Sequence, residues 1–372
     1  MRFKLGLIVN PIAGIGGSVG LKGSDSEAIQ AQAIKLGAKK RANEKTKIAL
    51  QQILSIKDAI QLYSAPGEMG ADLASSMGFD LEVIGHICST TSGQDTENIA
   101  QLLKAIPVDL ILFTGGDGTA RDVYNAIGDT IPVIGIPAGV KMHSGVYATS
   151  PHAAGDALVN FVLNGAPLRE GEVMDLDEVE YRQGNLRVQL YGYMKIPYIR
   201  YYIQNPKASS HLNEHDLSGI CFDIADKILK HADEDMYYIF GAGSTIKRIT
   251  DHLGWNGTLL GVDVWHRGNA VVLDAKESDL LEISRNNRCK LIITVIGGQG
   301  HILGRGNQQL SAAVIRQIGL ENLVVVAAAS KIFSLPDQTL YVDSGDESLN
   351  EEIRGYMKVI VGWQETLVCR VM

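Results

Sequence analysis

Residues 110–122, Leu-Ile-Leu-Phe-Thr-Gly-Gly-Asp-Gly-Thr-Ala-Arg-Asp, restrict the fold of this chain more than any other stretch. Leu110 to Phe113 is an apolar run suited to a buried strand. A glycine-rich turn follows. Then Thr119, read as a cap, opens a helix with Val123, Ala126 and Ile127 on one face. A strand that ends in glycines and turns into a helix leaves free N–H groups at the helix start, which suits an anion. Gly115, Gly116 and Gly118 carry no Cβ to hold a phosphate off the backbone. Asp117 sits among them, where a carboxylate would ordinarily repel a phosphate. Its presence makes sense if it takes a proton from an attacking hydroxyl or helps hold Mg²⁺ on the phosphates. The plainer alternative is a tight turn whose Asp caps the helix.

Phe3 to Val9 reads as a buried first strand that ends at Asn10-Pro11. Residues 10–23 after it hold five glycines, a second loop at a strand end. The spacing is neither a dinucleotide fingerprint nor a Walker loop. Further strands are expected at Ala59–Tyr63, Leu81–Ile87, Val108–Phe113 and Ile131–Pro137, with helices between them. Such alternation indicates parallel βα units. Ligands bind at the carboxyl ends of such strands, so the loops after the first, fourth and fifth should converge on one crevice. The last of these loops, Ala138–Ser144, offers Lys141 to neutralise a phosphate and His143 to bond a ribose or a base edge.

The character changes after Asn164-Gly165. Val173–Glu180 and Leu186–Pro197 read as β, the latter rich in Tyr. From Met236 strand–loop–helix units return, with Gly241–Thr245 and Gly297–Asn307 as glycine-rich loops. Arg305 in the second suits anion pairing. Length supports two domains, 1–165 and 166–372: a parallel α/β sheet domain carrying the phosphate loops, then a mixed β-rich α+β domain for the substrate.

A net charge of −8 argues against a nucleic-acid surface. Cys88, Cys221, Cys289 and Cys369 are scattered, which excludes a zinc pattern and favours reduced thiols in the cytoplasm. No apolar run is long enough for a bilayer or a signal segment, so no membrane partner is expected.

GLIVNPIAGIGGSVGLKGSD, GGDGTARD, GIPAGVKMHSGVYATSP and IGGQGHILGRGNQQLS together resemble the NAD kinase and diacylglycerol kinase superfamily. Within it they resemble the ATP- or polyphosphate-dependent NAD kinases, over nearly the whole chain. The resemblance implies transfer of the terminal phosphoryl of ATP, with Mg²⁺, or of polyphosphate, to the adenosine-ribose 2′-hydroxyl of NAD. It assigns activation of that hydroxyl to Asp117 and the phosphate loop to Gly115, Gly116, Gly118 and Thr119, and it places Asn10 near the phosphates. It further implies a homo-oligomer and a chain end that returns to the first domain. No dedicated metal ligands are expected. Typical NAD kinases grip the dinucleotide with an Asn-Glu or Asn-Asp pair; Asn213-Glu214 stands at a comparable location in polar, Pro-flanked surroundings. The same loop serves kinases of other hydroxyls. A lipid or small-metabolite kinase and a non-catalytic nucleotide-binding protein are therefore the alternatives. Asp117→Asn is expected to lose turnover while the melting temperature hardly moves.

Overall fold

Five short runs become the parallel strands β1 (Phe3–Val9), β2 (Ile60–Ser64), β3 (Leu81–Val83), β4 (Leu110–Gly115) and β5 (Val133–Pro137). They are seen in a computed structural model that describes residues 2–21, 27–87, 91–140, 142–176, 188–199, 202–203, 214–226 and 235–372. Cys88, Lys141 and Asn213 lie outside the described residues. The chain divides into two compact units: Met1–Gly16 with Lys22–Pro206, and Gly17–Leu21 with Lys207–Met372.

In the first unit the strand order is β3-β2-β1-β4-β5, every pair parallel. Buried side chains cover both faces of β1, β4 and β5, as a sheet clothed by helices requires. Those helices are α1 (Glu27–Lys35), α2 (Ala42–Gln52), α3 (Ala71–Ser76), α4 (Gly93–Ala105), α5 (Asp117–Ile127) and α6 (Pro151–Asn164). Ser92 and Asp95 form a capping box at α4, and the Ser150 hydroxyl caps α6 with Pro151 in its first turn.

The change of character after Gly165 is the start of an antiparallel hairpin, β6 (Leu168–Leu176) with β7 (Val188–Pro197). By its packing this hairpin belongs to the first compact unit, which extends to Pro206. Val173, Met194 and Ile196 join the first unit's core, while Tyr191 and Tyr193 stay partly exposed.

The second unit is built on a seven-stranded mixed sheet, β10-β9-β8-β11-β13-β15-β16. Its strands are β8 (Tyr237–Phe240), β9 (Asp263–His266), β10 (Asn269–Val272), β11 (Cys289–Thr294), β13 (Leu323–Val326), β15 (Gly355–Gly362) and β16 (Glu365–Val371). The sheet's centre is parallel, β8-β11-β13-β15, with antiparallel additions at both sides. Alternate residues of β8, β11 and β13 face opposite sides. Ile239, Leu291, Ile293 and Val325 join one core; Tyr238, Phe240, Ile292 and Val326 join the other. The helices are α7 (Glu214–Ala225), α8 (Ser244–His252), α9 (Glu277–Asn286), α10 (Ala312–Ile318), α11 (Ala329–Phe333) and α12 (Glu347–Ile353). A short parallel pair, β12 (His301–Leu303) with β14 (Tyr341–Val342), lies beside them. The chain end pairs inside this unit, as the edge strand against β15. Among the described residues no helix is long and apolar enough to cross a membrane.

Candidate functional site

The order of the first sheet reverses between β1 and β4, and ligands of open α/β sheets lie outside the carboxyl ends at such a point. Asn10 follows β1 there. Its N–H donates to the Thr114 carbonyl at 3.0 Å and its side-chain amide to the Thr119 hydroxyl at 2.9 Å. Its side-chain oxygen accepts from the Ile12 N–H at 3.2 Å. Asn10 thus ties the first glycine loop to the second.

Helix α5 begins three residues earlier than the sequence suggests. Gly116 is its N-cap and Asp117 its first residue, so Thr119 is not the cap. The N–H groups of Asp117, Gly118 and Thr119 precede the first intrahelical bond, from Ala120 to the Gly116 carbonyl, and so lack a partner inside the helix. They mark the positive end of the helix dipole.

The three loops meet, and glycine is what lets them. A Cβ on Gly14, whose φ is +70°, would lie 2.0 Å from the Ala138 carbonyl oxygen. One on Gly139 would lie 2.6 Å from the Gly116 Cα. Gly115 is backed by the Thr119 side chain, at 2.3 Å from its would-be Cβ. These glycines therefore serve loop-to-loop packing, and their missing side chains do not by themselves open a phosphate cradle. The N–H groups of Ala138 and Gly139 close the junction on the Gly115 carbonyl, at 2.9 and 3.0 Å.

Asp117 is buried and bonded to the loop after β5. The Ser144 hydroxyl donates to its Oδ1 at 2.7 Å and the Ser144 N–H at 3.1 Å. The His143 N–H donates to Oδ2 at 2.6 Å, and the His143 ring Nδ1 lies 3.3 Å from the same oxygen. A carboxylate has about four acceptor sites, so three strong donors leave one, on Oδ2. His143, buried and turned to Asp117, competes for that site if Nδ1 carries the proton. The plain capping alternative is excluded: Asp117 lies inside the helix and its oxygens point to another loop.

Other residues of the site escaped the sequence reading. Tyr147, fully buried, donates its hydroxyl to the Gly116 carbonyl and packs edge-on against Phe113, filling the space left by Gly135. Ser144 belongs with Asp117 as described. The Lys45 ammonium reaches the Pro137 carbonyl at 3.1 Å, which sets a half-buried cation at the carboxyl end of β5. Beside it the Thr46 and Thr114 hydroxyls are 2.7 Å apart. Nothing in the sequence joins α2 to these loops, since the pairing spans 92 residues for Lys45. In the second unit Arg305 does not await an external anion. It is buried in an ion pair with Asp343 at 2.8 Å.

Comparison with known proteins decides the family. The ATP-NAD kinase N-terminal domain matches residues 5–165 and the ATP-NAD kinase C-terminal domain residues 233–371. The chain belongs to the ATP-NAD kinase family. It is thus a member of a family of kinases that handle nucleotides. Solved structures similar in part include a putative diacylglycerol kinase from Bacillus anthracis str. Sterne, at 19% identity and TM-score 0.27, covering 48% of this chain and 47% of that one. A second structure, a putative diacylglycerol kinase of the same strain, matches at 20% identity and TM-score 0.24, over 48% and 44% of the two chains. The match therefore spans about half the length of those chains. No curated protein matches.

Proposed function

We propose that the protein transfers the terminal phosphoryl group of ATP, or of polyphosphate, to the adenosine-ribose 2′-hydroxyl of NAD, making NADP. The observation that supports this most is the placement of Asp117. It stands in the first turn of α5, at the switch point of the parallel sheet, with an acceptor position left on Oδ2. Phosphoryl transfer asks mainly for alignment and charge neutralisation. The N–H groups of Asp117, Gly118 and Thr119 suit phosphate oxygens. Lys45 stands where it can offset charge on the transferred group, and Lys141 is assigned the same task from the sequence.

The hydroxyl oxygen forms a bond to the terminal phosphorus as the bridging P–O bond breaks and ADP, or the polyphosphate shortened by one unit, leaves. Asp117 Oδ2 takes the proton released. Among the described residues no group of three His, Cys, Asp or Glu could hold a metal ion. Mg²⁺ brought in with the phosphates would have Asp117 as the carboxylate beside it and would supply further charge neutralisation. His143 acts by positioning Asp117 in this reading, rather than by touching a ribose.

The test is incubation of the pure protein with Mg²⁺, NAD and either ATP or polyphosphate, followed by assay with an NADP-specific dehydrogenase. NADP formation with one donor is the expected result and identifies that donor. ATP binding without NADP formation would overturn NAD as the acceptor.

A further inference from the structure

The first peptide of α5, between Gly116 and Asp117, decides which way the helix start faces. In a trans peptide the carbonyl and the N–H point to opposite sides. With the Gly116 carbonyl turned into the helix, the Asp117 N–H points out of its start, where an anion is favoured. Turned over, the same peptide would set a carbonyl oxygen against a phosphate. Position 116 is held to glycine by its neighbour: an added Cβ would lie 3.0 Å from the Gly139 Cα. Glycine also gives the backbone its widest freedom to turn, so the close approach of the two loops costs rigidity at the peptide that most needs it.

Two donors restore that rigidity. The Ala120 N–H reaches the Gly116 carbonyl at 3.0 Å, and the Tyr147 hydroxyl donates to the same oxygen. A carbonyl has two lone pairs, which these two donors fill. Tyr147 is itself fixed from every side. The Gly135 N–H donates to the Val146 carbonyl at 2.9 Å and the Ala148 N–H to the Gly135 carbonyl at 2.8 Å, so the residues flanking Tyr147 are stitched to β5. Its ring lies against Gly135, where an added Cβ would come within 2.4 Å of Cδ1, and its centroid is 5.4 Å from that of Phe113. The side chain is fully buried. Packing alone would be served by Phe; the hydroxyl of a buried Tyr calls for a partner, and here that partner is the carbonyl that orients the helix start.

We infer that Tyr147 is a positioning residue for the phosphoryl donor: its hydroxyl locks the Gly116–Asp117 peptide so that the Asp117 N–H faces the donor's phosphate oxygens. The inference rests on the proposed reading of the α5 start as the donor's phosphate site. Tyr147 touches neither donor nor acceptor; it acts through Gly116.

The test compares the full chain with Tyr147→Phe, which keeps the ring and removes only the hydroxyl. Isothermal titration with Mg²⁺ and ATP, and with polyphosphate as a parallel probe, reads donor binding in the absence of NAD. Tyr147→Phe should bind the donor roughly fivefold more weakly. The KM for that donor should rise by a similar factor while the KM for NAD stays within about twofold of the parent. Ile60→Val serves as the control for lost stability. Ile60 is fully buried at the amino end of β2, and its shortening should lower the melting temperature without changing donor affinity. Equal weakening in Ile60→Val and Tyr147→Phe would make Tyr147 a support of the core and overturn the inference. So would Tyr147→Phe binding the donor as tightly as the parent, or a parent with no saturable donor binding. A parent that binds the donor and makes no NADP would sink NAD as the acceptor, while the ratio of donor affinities would still decide the part of Tyr147.

Discussion

Asp117 carries two burdens at once. As the proposed base it must accept a proton, and as an acceptor of three donors it holds the loop after β5. The sequence suggests that Asp117→Asn spares stability, and the hydrogen bonds argue otherwise. An Asn side chain must turn its NH₂ toward donors of either Ser144 or His143, leaving N–H groups facing each other. Such a loss costs about 1–3 kcal/mol. Asp117→Asn is therefore expected to lower the melting temperature and to lose about 10²-fold or more in kcat. Ser144→Ala separates the two burdens. It removes a donor and keeps the carboxylate, so it should cost about 1 kcal/mol in a urea melt while turnover stays within about tenfold of the parent. Equal loss of turnover in both variants would show that Asp117 matters only as a tie between loops.

Elements differ in how far the chain discloses them. The runs at Phe3–Val9 and Leu110–Gly115 are apolar without interruption and bounded by turn residues, so the strands and the loops after them could be read directly. What could not be read is which loop holds which. Nothing about Ser144 in the sequence ties it to Asp117, 27 positions away; only the parallel pairing of β4 with β5 brings them together. Likewise the glycines look like a phosphate cradle, whereas their missing side chains are filled by neighbouring loops. In the second unit the sequence showed returning strand–loop–helix units, but not that β8, β11, β13 and β15 form one parallel centre.

At this scale α12 makes a test. Asp346 caps it by accepting from the Leu349 N–H at 2.9 Å, and Arg316 pairs with the same carboxylate. Hydrogen bonding to Arg316, then to the Leu349 N–H, holds the Asp346 carboxyl below its usual value. A depressed folded value means stability that is present above the unfolded value, about pH 3.9, and lost as pH falls through the folded one. The pair is on the surface, so its ionic part is weak and is screened by salt. Asp346→Ala should cost about 1 kcal/mol near neutral pH, mostly from the cap. That deficit should shrink in urea melts carried out below about pH 3; a deficit independent of pH would refute the carboxylate's part in it.

The whole molecule carries its reporters unevenly. Trp255, Trp265 and Trp363 all lie in the second unit, as do the free thiols Cys221, Cys289 and Cys369. Burial pushes the thiols of Cys221 and Cys289 up to about 11, against the opposing pull of Arg248 on Cys221, and raises that of Cys369. A thiol held protonated and buried does not react. In a Cys88→Ala background, an aromatic disulfide reagent near pH 8 should label nothing until the second unit opens. Each unit has its own hydrophobic core, and units with separate cores can unfold separately. Gly14→Ala forces a Cβ onto the Ala138 carbonyl at a positive φ, and should destabilise the first unit by more than about 1 kcal/mol. The circular dichroism melt of that variant should shift. Its tryptophan fluorescence transition and the onset of thiol labelling should stay where they are in the parent. If all three move together by the same amount, the two units melt as one, and the separate cores do not make separate cooperative units.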